Sequence, residues 1–559
     1  MLQERAWHRS WPKYLPRDLG ISPSPLHSLL TESASRLPNR TCIVYQGRTF
    51  TYSELDELSS RFGSALAALG LRKGDRVGVF TPNMPQFIIS YFGILKAGGV
   101  VVTCSPLYKE RELEFQLRDS GSSLVIAAND VVRGNDLYNS LEACRGRLGL
   151  RHVITASLTD YLPALKRNLA GLAGVKNLRR EGTIGFMDLI RAHRPLERFV
   201  EVDPMSDLAV LQYTGGTTGT SKGAMLTHHN LYANAMMAAA ALPLTAEDIT
   251  LAVLPLFHIY GMTVTMNAPI FAGANIVLLP RFEVKQVMET IQKERVTCFC
   301  AVPTMYIAVI NSEEGKRFDL RSVRACISGG APLAVAVRKK FIEMTGGNLV
   351  EGYGLTECSP VTHINPLKDA LPKEASIGIP LPATDAAIVD LDDPEKFLPT
   401  GEVGELAVRG PQVMRGYWNR KEESEMVLRN GWLLTGDIAR MDDDGYFYIV
   451  DRKKDMVDVG GFKVYPREVE EVLFEHPEVK EAAAIGMVDP YRGEAVKAFV
   501  VLKDPTKRIS EAEIIQFCTE RVAKYKVPKQ VEFVGELPKT LVGKVLRRKL
   551  REGATSQQS

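Results

Sequence analysis

The chain has 559 residues, which at ~150 residues per folding unit predicts three or four units and several cores. Hydrophobic residues make up 45% and charged residues 24%, ordinary values that exclude a mainly disordered or fibrous chain. The net charge of +3 draws the chain to neither nucleic acid nor membrane as a whole, so any basic surface is local. Eight cysteines with no Cys-x-x-Cys pair suggest neither a disulfide framework nor a zinc site, and a reducing cytosol fits. The N-terminus, MLQERAWHRSWPKYLP, carries charge and proline where a secretion signal needs an unbroken apolar core.

In chain order, Ser53 to Leu69 predicts a helix capped by Ser53, with Leu55, Leu58, Phe62, Leu66 and Leu69 on one face. Arg76 to Thr81, Gly99 to Cys104 and Ser123 to Ala127 read as strands, and their alternation with helical patterns implies parallel sheets covered by helices. Thr250 to Pro280 lacks Asp, Glu, Lys and Arg and is long enough to span a bilayer. Pro255, His258, Gly261, Asn267, Pro269, Gly273 and Asn275 interrupt it, so buried strands around a helix are expected instead. No repeat is visible.

At about residue 364 the character changes to short alternating runs (AAIVD, GEVGELAVRG, DGYFYIV) that predict a small antiparallel β unit. The polar run Asp451 to Asp455 (DRKKD) is the candidate hinge to an α+β domain. The expected class is therefore α/β. A large N-terminal domain, 1–451, has two helix-covered sheets and a small β-barrel-like subdomain at about 364–451, and a mobile α+β domain follows at 452–559. From Arg521 to Glu552 ten Lys or Arg face three Glu, a solvated basic face or a surface for a polyanionic small molecule; interleaved aromatics that would point to nucleic acid are lacking.

The strongest local signal is YTGGTTGTSKG, Tyr213 to Gly223, after the apolar DLAVLQ. Its glycines let the backbone approach an anion, its hydroxyl residues Thr214, Thr217, Thr218 and Ser221 add donors, and Lys222 adds charge, which together suit phosphate. Lys222 is followed by Gly223 rather than Ser or Thr, so the Walker arrangement for magnesium is absent and the metal must be held elsewhere. SGGAPL (Ser328 to Leu333) and GYGLTECSP (Gly352 to Pro360) each follow a strand-like run, where α/β folds place ligands. In the second, Tyr353 offers a face for a base, Thr356 a hydroxyl for phosphate and Glu357 a carboxylate for magnesium.

These segments, in this order, resemble the adenylate-forming enzymes: acyl-CoA synthetases, luciferases and peptide-synthetase adenylation domains. The resemblance covers nearly the whole chain, continuing through GELAVRGPQVMRGYW, GWLLTGDIA, DRKKDMVDVGGFKVYPREVE and LPKTLVGKVLRR. Within the family, LQYTGGTTGTSKGAMLTHHNL and SPLYKERELEFQLRDS are most similar to bacterial-type long-chain fatty acid CoA ligases. The resemblance implies ATP, magnesium and coenzyme A, with a carboxylate attacking the α-phosphate to give acyl-adenylate and pyrophosphate, and the CoA thiol then displacing AMP.

It also implies roles. Lys544 would bridge the carboxylate and the α-phosphate, with His258 and Thr356 as further catalytic residues. Thr214, Gly215, Gly216, Thr217, Thr218, Gly219 and Lys222 would hold phosphates, and Gly329, Gly330, Ala331, Tyr353, Gly354, Asp437 and Arg452 the rest of the nucleotide. Asp437 would accept from both ribose hydroxyls, and Thr217 and Glu357 would serve the metal. The C-terminal domain would swing about Lys454, bringing Gly460, Gly461 and Phe462 to the pantetheine arm. Amino-acid-activating relatives resemble Phe-Asp where this chain has His258, so an α-amino acid would lack a partner for its ammonium. Some long-chain relatives carry a tryptophan just after this histidine, whereas this chain has Gly261 and Met262, the latter able to line an acyl tunnel or to fill core space.

The sequence thus predicts a cytoplasmic fatty acid CoA ligase for medium or long chains. The alternatives are an aryl or arylpropenoate CoA ligase, an adenylating module that serves a carrier protein, and a catalytically silent binding protein, which the intact Lys544, Glu357 and Lys222 oppose. No nucleic acid partner is expected, and a homodimer is compatible with the resemblance. Tyr161 to Arg180 carries five basic and no acidic residues, with Leu162, Leu165, Leu169 and Leu172 at helical spacing, and reads either as a docked surface helix or as a peripheral contact with the inner membrane face.

Overall fold

The computed structural model describes residues 5–172, 174–214, 221–370, 372–460, 462–489, 492–539 and 545–556. Two sheets dominate the N-terminal part. The first has seven strands in the order Ile184–Gly185, His152–Ala156, Leu124–Ala128, Arg76–Phe80, Val100–Thr103, Leu208–Thr214 and Lys222–Thr227, all parallel except the last pair. Its inner strands are apolar on both faces because both are covered, as a parallel sheet requires.

The second sheet joins Arg48–Thr51, Thr41–Tyr45, Asn275–Leu278 and Ile249–Ala252. Bridges at Cys298 and Ala301 connect it to Ala325–Ser328, Asn348–Gly354, Val361–Ile364 and Ile379–Pro380. The helices Tyr52–Ala68 and Pro85–Lys96 pack together in the main core, and every residue of the second is buried. The cap of the first is Thr51, whose hydroxyl accepts from Glu54 N–H at 3.1 Å, not Ser53. Both residues are hydroxylic; Thr51 has the extended backbone an N-cap needs, whereas Ser53 is already inside the helix.

The charge-free stretch folds as expected, with the strands Ile249–Ala252 and Asn275–Leu278 flanking a π-helical turn, Gly261–Asn267, and a short helix, Ala268–Ala272. Among the described residues no helix is long and apolar enough to cross a membrane. The predicted β unit is a five-stranded antiparallel sheet built from Asp385–Val389, Gly404–Arg409, Leu428–Arg429, Trp432–Met441 and Phe447–Arg452.

The C-terminal part has its own five-stranded sheet and its own cores, with the helices Pro466–Glu475, Glu511–Thr519 and Arg547–Ser556. Several of its described basic residues are paired with acids. Lys526 pairs with Glu468, Lys529 with Asp489 and Lys539 with Glu481, while Arg547 makes two 2.8 Å bonds to Glu470 and one of 3.1 Å to Asp455. These acids lie in other segments, while Arg548 pairs with Glu552 nearby, so the local count of Lys and Arg overstates the basic surface. The eight cysteines are free buried thiols, in keeping with the absence of a disulfide framework.

Candidate active site

The strands Leu208–Thr214 and Lys222–Thr227 pair as a hairpin with Thr214 opposite Lys222, which brings the two ends of the glycine-rich segment together. Ser221 Oγ donates to Thr214 O at 3.0 Å and closes its neck. Gly215, Gly216, Thr217, Thr218 and Gly219 lie outside the described residues. Lys222 pairs with Glu423, and its ammonium stands 5.2 Å from the centre of the Tyr417 ring.

The strand Asn348–Gly354 delivers the second group. Tyr353 donates its hydroxyl to Asp437 Oδ2 at 2.5 Å, and Arg452 Nε lies 3.2 Å from Oδ1. Asp437 and Arg452 are partners across a hairpin, which explains their closeness. Both oxygens of Asp437 are thus engaged, so ribose hydroxyls binding there must share or replace these partners. Gly354 has to be glycine, since a Cβ there would lie 2.2 Å from Pro360 O. The following turn, Thr356–Cys358, carries Glu357, whose Oε1 accepts the Tyr417 hydroxyl at 2.7 Å. Burial, then Glu357, pushes the Tyr417 phenol far above its usual range, so it stays a donor.

Gly329 and Gly330 follow the strand Ala325–Ser328. Gly329 N–H donates to Ala301 O at 3.2 Å, and a Cβ at Gly329 would meet the Tyr260 ring at 3.1 Å. Tyr260 is itself held by its hydroxyl, 2.9 Å from Ile327 O. Ala331 continues this turn, half-buried. The loop bearing His258 is clamped twice. Asn83 donates to Leu254 O and accepts from Leu256 N–H, both at 2.8 Å, and Gln212 Nε2 donates to Phe257 O at 3.0 Å. His258 Nδ1 accepts from Tyr260 N–H at 3.2 Å, which puts the proton of the neutral ring on Nε2 and makes that nitrogen a donor. Gly261 opens the π-helical turn with the site of its Cβ 2.3 Å from Pro255 O, so tryptophan cannot stand there. Met262 is fully buried in the main core and fills space.

At the candidate hinge, the strand Phe447–Arg452 ends and Lys454 sits exposed in a turn, where partial desolvation and then Arg452 lower the pKa of its ammonium. On one side of it Asp451 accepts from Arg467 N–H at 2.7 Å; on the other Asp455 binds Arg547 at 3.1 Å and Arg551 at 2.9 Å. Lys544 lies outside the described residues, three positions before this anchored Arg547. Gly460, at φ +63, begins the tight turn between Val457–Val459 and Phe462–Val464, and Gly461 is outside the described residues. Phe462 is exposed and stacks on Tyr525 at 4.8 Å within the C-terminal domain.

The structure therefore brings Lys222 and Glu357 to one ring and Tyr353, Asp437 and Arg452 into one cluster. Sequence reasoning assigned no part to Tyr417 or Glu423. Tyr417 lies in the quoted GELAVRGPQVMRGYW, but nothing local marks a tyrosine for contact with an acid 60 residues away.

The family AMP-binding enzyme matches residues 30–418, and AMP-binding enzyme C-terminal domain matches 468–544. The chain is 44% identical to the long-chain-fatty-acid–CoA ligase of Bacillus subtilis (strain 168), over 99% of each chain. It is similar to ATP-bound MatB from Rhodopseudomonas palustris at a TM-score of 0.84 and 29% identity, over 96% of this chain and 100% of that one. It is also similar to Mycobacterium tuberculosis fatty acyl CoA synthetase at 0.75 and 31%, over 95% and 99%. On the hairpin, the two charged clusters and a match to more than half its length, the chain belongs to the AMP-binding enzyme family, within the adenylate-forming superfamily that its motifs resemble.

Proposed function

We propose that the chain is a fatty acid CoA ligase for medium or long chains, using ATP to make acyl-adenylate and then CoA to make the thioester. The observation that carries this reading is the convergence of Lys222 and Glu357 on Tyr417, from segments far apart in sequence, beside a glycine-rich hairpin. A carboxylate attacking a polyanion needs neutralised charge and an in-line approach, so positioning is most of the catalysis. In this scheme Lys222 and the hairpin amides bind the phosphates, Tyr353 covers adenine and Asp437 takes the ribose hydroxyls. His258, donating from Nε2, orients the substrate carboxylate, Thr356 contacts phosphate, and Lys544 bridges the two reacting groups.

The donor chemistry fits magnesium. Glu357 supplies a hard carboxylate oxygen, with Thr217 as a second donor, and magnesium is commonly held by one or two protein groups plus substrate phosphates. When bound, it neutralises phosphate charge. As the resemblance implies, the second step follows a swing of the C-terminal domain about Lys454, with the boundary at 451/452 and Gly460, Gly461 and Phe462 as the surface for pantetheine.

The test is AMP release across a panel of fatty, arylpropenoic and amino acids, with and without CoA. Release that needs both a fatty acid and CoA is expected. A preference for arylpropenoates, or adenylate formation with no CoA-dependent AMP release, would reject the reading in favour of an aryl-CoA ligase or a carrier-loading module.

We place the protein in the cytoplasm, in contact with the inner membrane face, and allow a homodimer, which sedimentation equilibrium reads directly. The contact is the helix Ala164–Leu172, which has no buried residue and leaves Leu165, Leu169 and Leu172 exposed by 73%, 53% and 86%. These leucines share one face, with basic and no acidic neighbours, whereas Leu162 just before them is buried. Changing all three to serine should abolish sedimentation with vesicles containing phosphatidylglycerol; unchanged sedimentation would remove the membrane contact.

A further inference from the structure

Tyr417 is nearly buried, and its backbone is fixed by the very strand that carries Lys222. Residues 415–418 run alongside Lys222–Thr227: Arg415 N–H donates to Met225 O and Met225 N–H to Gly416 O, both at 2.9 Å, and Trp418 N–H donates to Gly223 O at 2.8 Å. On the other side Tyr417 N–H donates to Ser424 Oγ at 2.8 Å, tying it to the helix Lys421–Val427. The backbone at Tyr417 is thus held on both sides, and its ring touches both opposite charges of the site. Its hydroxyl donates to Glu357 at 2.7 Å, and its π face meets the Lys222 ammonium at 5.2 Å. The same helix supplies Glu423, which pairs with Lys222.

Resting on the reading of Glu357 as the magnesium carboxylate and Lys222 as the phosphate lysine, we propose that Tyr417 is the positioning residue that sets these two groups relative to each other, and that Glu423 holds Lys222 until a phosphate replaces it. A glutamate side chain left alone samples many rotamers, and a hydrogen bond from a fixed phenol selects one. A carboxylate on Lys222 offers the negative charge that a phosphate brings, so nucleotide binding must break this pair. Tyr417 and Glu423 thus act in opposite senses, one aiding metal–nucleotide binding and the other competing with nucleotide.

The experiment measures binding by the full-length protein: ATP by calorimetry without metal, and Mn2+ by electron paramagnetic resonance in the presence of ATP. Tyr417→Phe keeps the ring and loses the hydroxyl. It should weaken Mn2+ binding roughly tenfold, as expected for one hydrogen bond to a charged group, with metal-free ATP affinity within about twofold of wild type. Tyr417→Leu should also weaken metal-free ATP binding; if it fails to fold, Tyr417→Phe decides. Glu423→Gln should tighten metal-free ATP binding several-fold (~3-fold or more), because a competitor for Lys222 has been removed. Wild-type Mn2+ affinity in Tyr417→Phe, with loss in Glu357→Gln, overturns the role of Tyr417 alone. No loss in Glu357→Gln overturns the metal assignment beneath it. Weaker or unchanged ATP binding in Glu423→Gln overturns the role of Glu423.

Discussion

Replacing Lys544 with alanine should abolish ATP–pyrophosphate exchange with a fatty acid, yet leave the conversion of supplied acyl-adenylate and CoA to thioester near wild type. The first step brings a carboxylate onto a triphosphate, two anions whose approach one ammonium can bridge. The second displaces AMP by a thiol and builds no comparable charge between anions. Losing one preorganised contact of this kind costs about 3 to 4 kcal/mol, or roughly 10²- to 10³-fold in rate. The anchoring of the segment that follows supports this role. Arg547 is bound to Glu470 and Asp455, and Arg551 to Asp455, so the helix after Lys544 is tied to the residue next to the proposed pivot. A rotation at Lys454 would keep this helix with Asp455 and would have to break the bonds of Arg467 to Asp451 and Ile449. Equal loss in both half-reactions would reject the assignment.

Lys454→Pro should slow the thioester step by roughly tenfold or more while sparing pyrophosphate release, because a proline fixes φ at the pivot and restricts Lys453 before it. The turn at Lys454 is held by its neighbours. Its hydrogen bonds come from the neighbours: Lys453 N–H to Gly436 O at 2.9 Å, and Asp455 and Met456 N–H to Arg452 O at 3.0 and 3.2 Å. Separate assays of adenylate formation and of thioester formation from acyl-adenylate distinguish the outcomes. A normal thioester rate would move the pivot elsewhere, and equal loss in both steps would indicate a merely damaged turn.

Much of the architecture was legible in the chain. The strands Val100–Thr103 and Leu124–Ala128 are buried at every position because both sheet faces are covered, and the change to alternating runs after about residue 364 precedes the antiparallel sheet. The structure decided where a local rule had two candidates. Ser53 and Thr51 both suit a cap, and only the backbone conformation at Thr51 decides between them. Met262 suited a tunnel or the core equally, and its surroundings put it in the core. The partners of the basic C-terminal segment are equally hidden from a local count, since Glu468, Glu470, Glu481 and Asp489 lie tens of residues upstream.

By itself the sequence determined the family, the order of the ligand-bearing turns and the positions that must be glycine, because these depend on backbone conformation and on spacing within a few residues. Only the tertiary structure decided which charges meet. Tyr353 reaches Asp437 across 84 positions and Tyr417 reaches Glu357 across 60. Such pairs form when separate strands are packed side by side, and a hydrogen bond falls off within an ångström or so of its optimum, a distance that no one-dimensional pattern encodes.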